Sequence, residues 1–310
     1  MILKTKLSII DGDNKVTYTE FIDSELIHFS NSDNLRSIPD LIDGNKPSQR
    51  KVLYSAFKKN LTKDVKVAQF CGYVSEQTSY HHGEASLQGT IINMAQNYPG
   101  SNNIELLVPS GQFGTRIQNG KDAASPRYIF TRLAPLTKLL FNEDDNDNLN
   151  FLNDDGFSIE PERFVPLLPM ILINGTKGIG TGWSTDIPKY NPLDILNCMK
   201  KLLKGEELEE ITPWYRNYDG KFIKTDDKTF MNLGVYEIVN NNTLKILELP
   251  IGVSTEEYKD FLDKVVSGND PKIDYVENYE NSSTDTKVCF VVLCKPNSLK
   301  KLILSHHYLK

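Results

Sequence analysis

The chain has 310 residues, with 35 Lys and Arg against 41 Asp and Glu for a net charge of −6, and 39% of its residues are hydrophobic. That length suits about two domains at ~150 residues each, and the apolar share is ordinary for a globular chain. No apolar run approaches the ~18–20 residues of a membrane span and the start has no secretory pattern, so neither a membrane protein nor a secreted one is expected.

In chain order, VTYTEFIDSELIHFSNSDNLRSIPDLIDG over 16–44 reads as a helical lead-in with an irregular exit at Pro39 and Gly44. KPSQRKVLYSAFKKN follows as a helix, with Pro47 in its first turn and Val52, Leu53, Ala56 and Phe57 on one apolar face. DVKVAQFCGYVSEQT predicts a second helix with Val65, Ala68 and Val74 inward. GEASLQGTIINMAQNY predicts a third, with Leu87, Ile91, Met94 and Ala95 on one stripe. Apolar segments then flank a Gly-rich polar tip in NIELLVPSGQFGTRIQNGKDAASPRYIFTRL, the pattern of a long hairpin. Three short helices followed by such a hairpin predict an α+β winged helix.

The acidic stretch at 141–158 reads as an exposed excursion or a boundary. MILI at 170–173 is a buried strand candidate, and the glycines after it make the backbone irregular. NPLDILNCMKKLLKG predicts a helix started by Asn191 and Pro192 and stopped by Gly205. From about 215 to 250 the chain alternates like a small antiparallel sheet. Ser254 and Glu257 predict a capping box, TKVCFVVLCK a strand, and 297–310 a closing helix. No internal repeat is present. The domains expected are a lead-in over 1–35, a winged helix over 36–158 and a second, mixed α/β unit over 159–310.

The net charge alone disfavours a nucleic-acid partner, but its distribution does not. Lys46, Arg50, Lys51, Lys58, Lys59, Lys63 and Lys66 are opposed only by Asp64, and Arg116, Lys121, Arg127 and Arg132 follow. The acids gather at 143–155 and 206–210. Local field decides whether a polyanion binds, so Lys46, Arg50, Lys51, Arg116 and Lys121 are candidate DNA contacts, against the alternative of a solvated basic helix face. The four cysteines Cys71, Cys198, Cys289 and Cys294 form no C-x-x-C pair, so zinc and disulfides are not expected and a reducing compartment fits.

Three stretches invite chemistry. GTKGIGTGW fails the phosphate-loop and dinucleotide spacings, and its glycines more simply let backbone pass a bulky neighbour with Ile179 at the tip. His81 and His82 precede a helix start without a third ligand, so they suit a phosphate better than zinc. Tyr128 would be inert as an isolated phenol, whose pKa is ~10, but it follows Arg127, and basic neighbours can activate it.

Taken in order, RSIPDLIDGNKPSQRKVLY, VAQFCGYVSEQTSYHHGEASL, QNYPGSNNIELLVPSGQFGTR, GKDAASPRYIFT and PMILINGTKGIGTGWST closely resemble the breakage-reunion region of eukaryotic-type DNA topoisomerase II, which large DNA viruses also carry. The resemblance spans roughly residues 15–300 and is loosest after 205, where the family has its tower domain. It implies that Tyr128 attacks a DNA phosphodiester to form a 5′-phosphotyrosyl link. By the same likeness Arg127 and Arg36 hold the scissile phosphate and His82, beside His81, stabilises the transition state. Lys46 lies at the cleaved strand, and Ile179 wedges between base pairs to bend the duplex. Ser48 departs from the family's glycine at that position, with no loss expected.

The resemblance further implies an ATP-hydrolysing type II topoisomerase acting as a homodimer on double-stranded DNA. Its Mg²⁺ and ATP would be bound by an acidic metal-binding (TOPRIM) portion and an ATPase portion that this segment is expected to lack, along with the exit gate. The fragment alone would then be inactive. The setting implied is intracellular: the nucleus of a cellular eukaryote, or the host cytoplasm or nucleus for a virus. The rival expectation is a non-catalytic module that grips bent DNA, or a dimerisation fragment.

Overall fold

A computed structural model describes residues 16–227, 229–268 and 275–299. Helix α1 (Tyr18–Phe21) opens on Thr17, whose hydroxyl accepts the Glu20 amide, and runs through a π turn (Ile22–Leu26) into α2 (Ile27–Ser37). The chain leaves that helix at Ile38 in extended conformation, because Pro39 disfavours helix in the residue before it.

Helix α3 (Pro47–Lys58) starts with Pro47 in its first turn, while the Lys46 amide donates to Gln49 Oε1 at 2.9 Å. It buries Val52, Leu53 and Ala56. Strand β1 (Val65–Lys66) and helix α4 (Val67–Gln77) follow, with Val67, Phe70, Cys71 and Val74 inside. The helix expected here therefore begins later than its sequence suggested. Val65 and Lys66 extend to pair with Thr131 and Phe130, and Ala68 is only half-buried. Helix α5 (Glu84–Ala95) buries Leu87, Ile91, Met94 and Ala95 as the stripe predicted.

Strands β2 (Leu107–Ser110) and β3 (Phe130–Leu133) pair antiparallel, Leu107 opposite Leu133 and Ser110 opposite Phe130, and β1 joins on the other side of β3. A three-stranded sheet against three helices is the winged helix. Helix α6 (Pro135–Leu140), a 3₁₀ turn (Glu143–Asn148) and a hairpin of β4 (Phe151–Asp154) and β5 (Phe157–Pro161) complete this part. The acidic stretch is exposed as expected, but its end folds back: Lys51 of α3 pairs with the buried Glu160 at 2.7 Å.

MILI is buried but helical, forming one turn, α7 (Met170–Ile173), instead of a strand. A four-residue apolar run has no period to distinguish the two. The turn is stopped by Asn174, whose side chain exchanges two hydrogen bonds with the Ile104 backbone. A hairpin of β6 (Thr176–Ile179) and β7 (Ser184–Ile187) precedes α8 (Pro192–Lys204), which is capped by Asn191 and ended by Gly205 in left-handed conformation (φ 71°).

Strands β8 (Lys221–Asp226) and β9 (Thr229–Leu233) form a hairpin. The antiparallel sheet that follows runs β10–β11–β13–β12, from β10 (Val235–Ile238), β11 (Thr243–Glu248), β12 (Val276–Asn281) and β13 (Phe290–Cys294). Helix α9 (Thr255–Val266) covers it, started by the expected Ser254–Glu257 box. The closing helix expected over 297–310 lies outside the described residues from 300 on.

The buried apolar residues form two clusters. One runs from Val52 to Ile195 and includes Phe164, Met170 and Ile173; the other, from Leu244 to Leu299, joins α9 to its sheet. The first thus draws on both sides of residue 158. Asn103 braces it, its amide donating to the carbonyls of Ile173, Tyr190 and Trp214 while its oxygen accepts the Arg216 amide.

Candidate nucleic-acid interface

Tyr128 sits on a turn that enters β3. Its amide donates to Ser125 O at 2.9 Å, closing the turn. Two bonds on either side fasten that turn to the start of α4: Val67 N to Ile129 O at 3.0 Å and Ala68 N to Pro126 O at 3.1 Å. At the exit of this turn Ile129 goes into the core at 1% exposure and Tyr128 goes out at 75%. Arg127 is exposed beside it. A large aromatic side chain turned to solvent by an anchored turn adds little to packing, and its hydroxyl is open to a ligand.

The other residues of the expected site reach solvent from separate elements. Arg36 is exposed in the last turn of α2, and Lys46 is half-buried at the start of α3. His81 and His82 are exposed just before α5. His82 packs edge-on against Tyr80 with ring centres 5.4 Å apart, and His81 Nε2 lies 3.5 Å from Asp154 Oδ2. Among the described residues no hydrogen bond or ion pair joins the Tyr128 phenol to Arg127, Arg36, Lys46, His81 or His82. Apart from His81, which faces Asp154, these groups have no carboxylate bonded to them among the described residues, and a polyanion is the ligand that such donors suit.

Ile179 ends β6 at 73% exposure, and Trp183 across the turn is equally exposed. Gly180 N donates to Trp183 O at 2.9 Å to close the tip. The glycines have the role expected, and the bulky neighbour is α2. A Cβ on Gly178 would strike Ser37 O, and one on Gly180 would strike Asn34 Oδ1. Two bonds latch the tip to that helix: Thr181 Oγ1 to Asp33 Oδ2 at 2.7 Å and Asn34 Nδ2 to Thr181 O at 3.2 Å. The Thr181 and Ser37 hydroxyls, both donating to Asp33, hold its carboxyl below the ordinary value.

Three of the five basic residues expected at the DNA surface are engaged inside the protein, which corrects that expectation. Arg50, 6% exposed, donates Nε to Asp43 Oδ2 at 2.8 Å. Lys51 donates to Thr78 O at 2.7 Å and pairs with Glu160. Arg116, 1% exposed, reaches into the second cluster, donating to Glu248 Oε1 at 3.0 Å and Leu249 O at 2.7 Å. Burial pushes the Glu248 carboxyl up and Arg116 opposes it. A basic run in sequence does not say which cations meet an internal carboxylate, because those carboxylates lie 7 to 132 positions away. Lys121 stays exposed, as does Lys46 in part.

Sequence reasoning missed Trp183, the Asp33–Thr181 latch and Lys189. Only Trp183 carried a signal, a large apolar residue inside a glycine-rich turn. Among the described residues no three His, Cys, Asp or Glu side chains come together to hold a metal ion. No step through a metal ion is assigned to the described residues. Among the described residues no helix is long and apolar enough to cross a membrane.

Known proteins resemble the chain over nearly its whole length. A family model described as the A subunit of DNA gyrase/topoisomerase IV matches residues 36–310. DNA topoisomerase 2 top-2 of Caenorhabditis elegans is 50% identical over 288 residues, 93% of this chain and 19% of its own. DNA topoisomerase 2 of Arabidopsis thaliana is 52% identical over 259 residues, 82% of this chain and 18% of its own. The crystal structure of the DNA-binding, cleavage and re-ligation domain of Plasmodium falciparum topoisomerase II superposes with a TM-score of 0.89 at 44% identity, covering 94% of this chain and 40% of that one. The chain spans about a fifth of the length of the curated relatives it matches.

Proposed function

The chain belongs to the family of the DNA gyrase/topoisomerase IV A subunits, and from that premise we propose that it is the DNA gate of a type II topoisomerase, with Tyr128 as the nucleophile. The phenol oxygen loses its proton and attacks a backbone phosphorus, and the 3′ deoxyribose oxygen leaves and takes up a proton to become a hydroxyl. One P–O bond replaces another, so resealing is the same exchange in reverse and needs no energy input. Arg127 and Arg36 hold the phosphate oxygens as charge develops, and His82, with His81 beside it, donates to them. Lys46 and Lys121 grip the backbone, and Ile179 enters a base step. Unstacking one step costs about a few kcal/mol, offset by the contacts that bending brings.

The observation that supports this reading most directly is the phenol of Tyr128, 75% exposed on a turn pinned to α4. In the complete enzyme Mg²⁺ and ATP act on portions outside these residues, two copies each supply one tyrosine, and the setting is intracellular, nuclear in a cellular eukaryote. The domain division at 158 is part of the same proposal, with one apolar core shared across it.

The test is reconstitution. The chain, a separately supplied acidic metal-binding portion, Mg²⁺ and end-labelled duplex are mixed and denatured, and covalent protein–DNA adducts are counted. Adducts are expected with the wild type and none with Tyr128→Phe; adducts that survive the substitution overturn the assignment. A complex that bends DNA and never forms an adduct favours a non-catalytic bending module.

A further inference from the structure

A polar cleft of about 440 Å³ opens between the start of α3, the C-terminal half of α5 and the base of the β6–β7 hairpin. Lys46, Lys177 and Lys189 line it, with Ser48, Asn45 and Thr176. Its charges can be paired off. Asp43 also lines it, but its carboxylate is taken by Arg50 and by the amides of Asn45 and Phe164. Lys177 is paired with Asp186 at 3.1 Å. Lys46 and Lys189 have no carboxylate partner among the described residues.

Lys189 is the unusual one. Its ammonium donates to Asn174 O at 2.5 Å and stands over the Tyr215 ring, 5.9 Å from the centroid. Its stem fills the space beside Gly175, where a Cβ would meet Lys189 Cγ at 2.9 Å. Burial lowers its pKa to about 8, so it is still mostly charged at neutral pH. A half-buried cation held by one carbonyl gains from an anion beside it. The start of α3 faces the same space, and a helix start favours an anion. Asn45, only 6% exposed, also lines the cleft, and its buried side-chain amide nitrogen has no hydrogen-bond partner among the described residues.

We propose that this cleft seats one phosphate group between Lys46, Lys189 and the start of α3. It rests on the DNA-gate reading in taking the phosphate from a duplex backbone, bound beside the Ile179 wedge. Free phosphate has the same tetrahedral oxygens, and the experiment separates the two sources.

The experiment measures duplex affinity by fluorescence anisotropy across a salt series for the wild type, Lys189→Met, Lys189→Arg and Lys46→Met, and inorganic phosphate binding by calorimetry for the same proteins. Lys189→Met is expected to weaken a phosphate contact about tenfold, with Lys189→Arg retaining most of it. Losing one phosphate contact also makes the salt slope shallower by about one. Lys46→Met gives the same losses from a half-buried position, so an unfolded Lys189→Met leaves the seat testable. A change in the duplex arm supports a backbone phosphate. A change in the phosphate arm alone supports a free-phosphate seat. Duplex binding at wild-type strength and slope in folded variants, with no phosphate affinity to lose, overturns the seat and leaves the gate reading intact. A wild type that binds phosphate but no duplex overturns the gate reading and leaves the seat.

Discussion

Thr181 donates its hydroxyl to the Asp33 carboxylate across 2.7 Å, and that bond ties the turn between Ile179 and Trp183 to the helix that ends in Arg36. On the proposed reading Ile179 is a wedge that must not fold back when it meets stacked bases, and this latch supplies the stiffness. Thr181→Val is expected to speed amide exchange over 176–187 by ~3-fold or more while the cores exchange as before. Equal exchange in both proteins would show that the glycine contacts alone hold the tip. Because the Asp33 pKa is lowered by folding, its contribution is complete above the ordinary carboxyl value of 3.8 and lost as pH falls through the folded one. The latch is therefore unaffected between pH 5 and 8, a span set by ~1 unit above that value.

Tyr128→Phe removes one exposed hydroxyl and no packing. Urea unfolding should place its stability within ~0.5 kcal/mol of the wild type, with unchanged duplex affinity and no adduct. A loss of ~2 kcal/mol or more would mean the phenol has a structural partner.

Ile179→Ala shortens the wedge without touching the latch. Energy transfer between dyes at the duplex ends should report a smaller bend, while affinity falls less than ~10-fold because phosphate contacts remain. Identical bend angles would remove Ile179 from the role.

Arg116 and Lys121 lie five residues apart and should behave oppositely. Arg116→Met leaves Glu248 buried without its cation and should cost ~3–5 kcal/mol of stability, with duplex affinity intact in the folded fraction. Lys121→Ala should leave stability within ~0.5 kcal/mol and make the salt slope shallower by about one. Anisotropy titrations of both variants decide, and a folded Arg116→Met that loses affinity would return Arg116 to the DNA surface.

Lys189 also predicts a pH effect on folding. Its pKa drops from 10.5 unfolded to about 8 folded, so the unfolded chain binds more protons between those values. Stability therefore rises with pH across that window, by roughly 3 kcal/mol from this group. Paired urea titrations at pH 7.5 and 10 should show the rise in the wild type relative to Lys189→Met, whose curve lacks this contribution; parallel curves would place the ammonium in water.

The sequence by itself determined the winged helix, the capped helices α8 and α9, and an order of motifs dense enough to mark the family and single out Tyr128. Those features are local: an apolar stripe, a capping side chain or a proline acts within one or two turns, so the chain states them directly. Tertiary structure decided which cations face solvent. Arg50, Lys51 and Arg116 read like Lys121 in sequence, yet each meets a carboxylate or carbonyl that only folding brings near. It decided that MILI coils, since the length and setting of a short apolar run are fixed by what Asn174 and Ile104 exchange around it. It also created the latch and the lysine-lined cleft, whose members come from positions up to 148 residues apart, a separation over which no sequence period carries information.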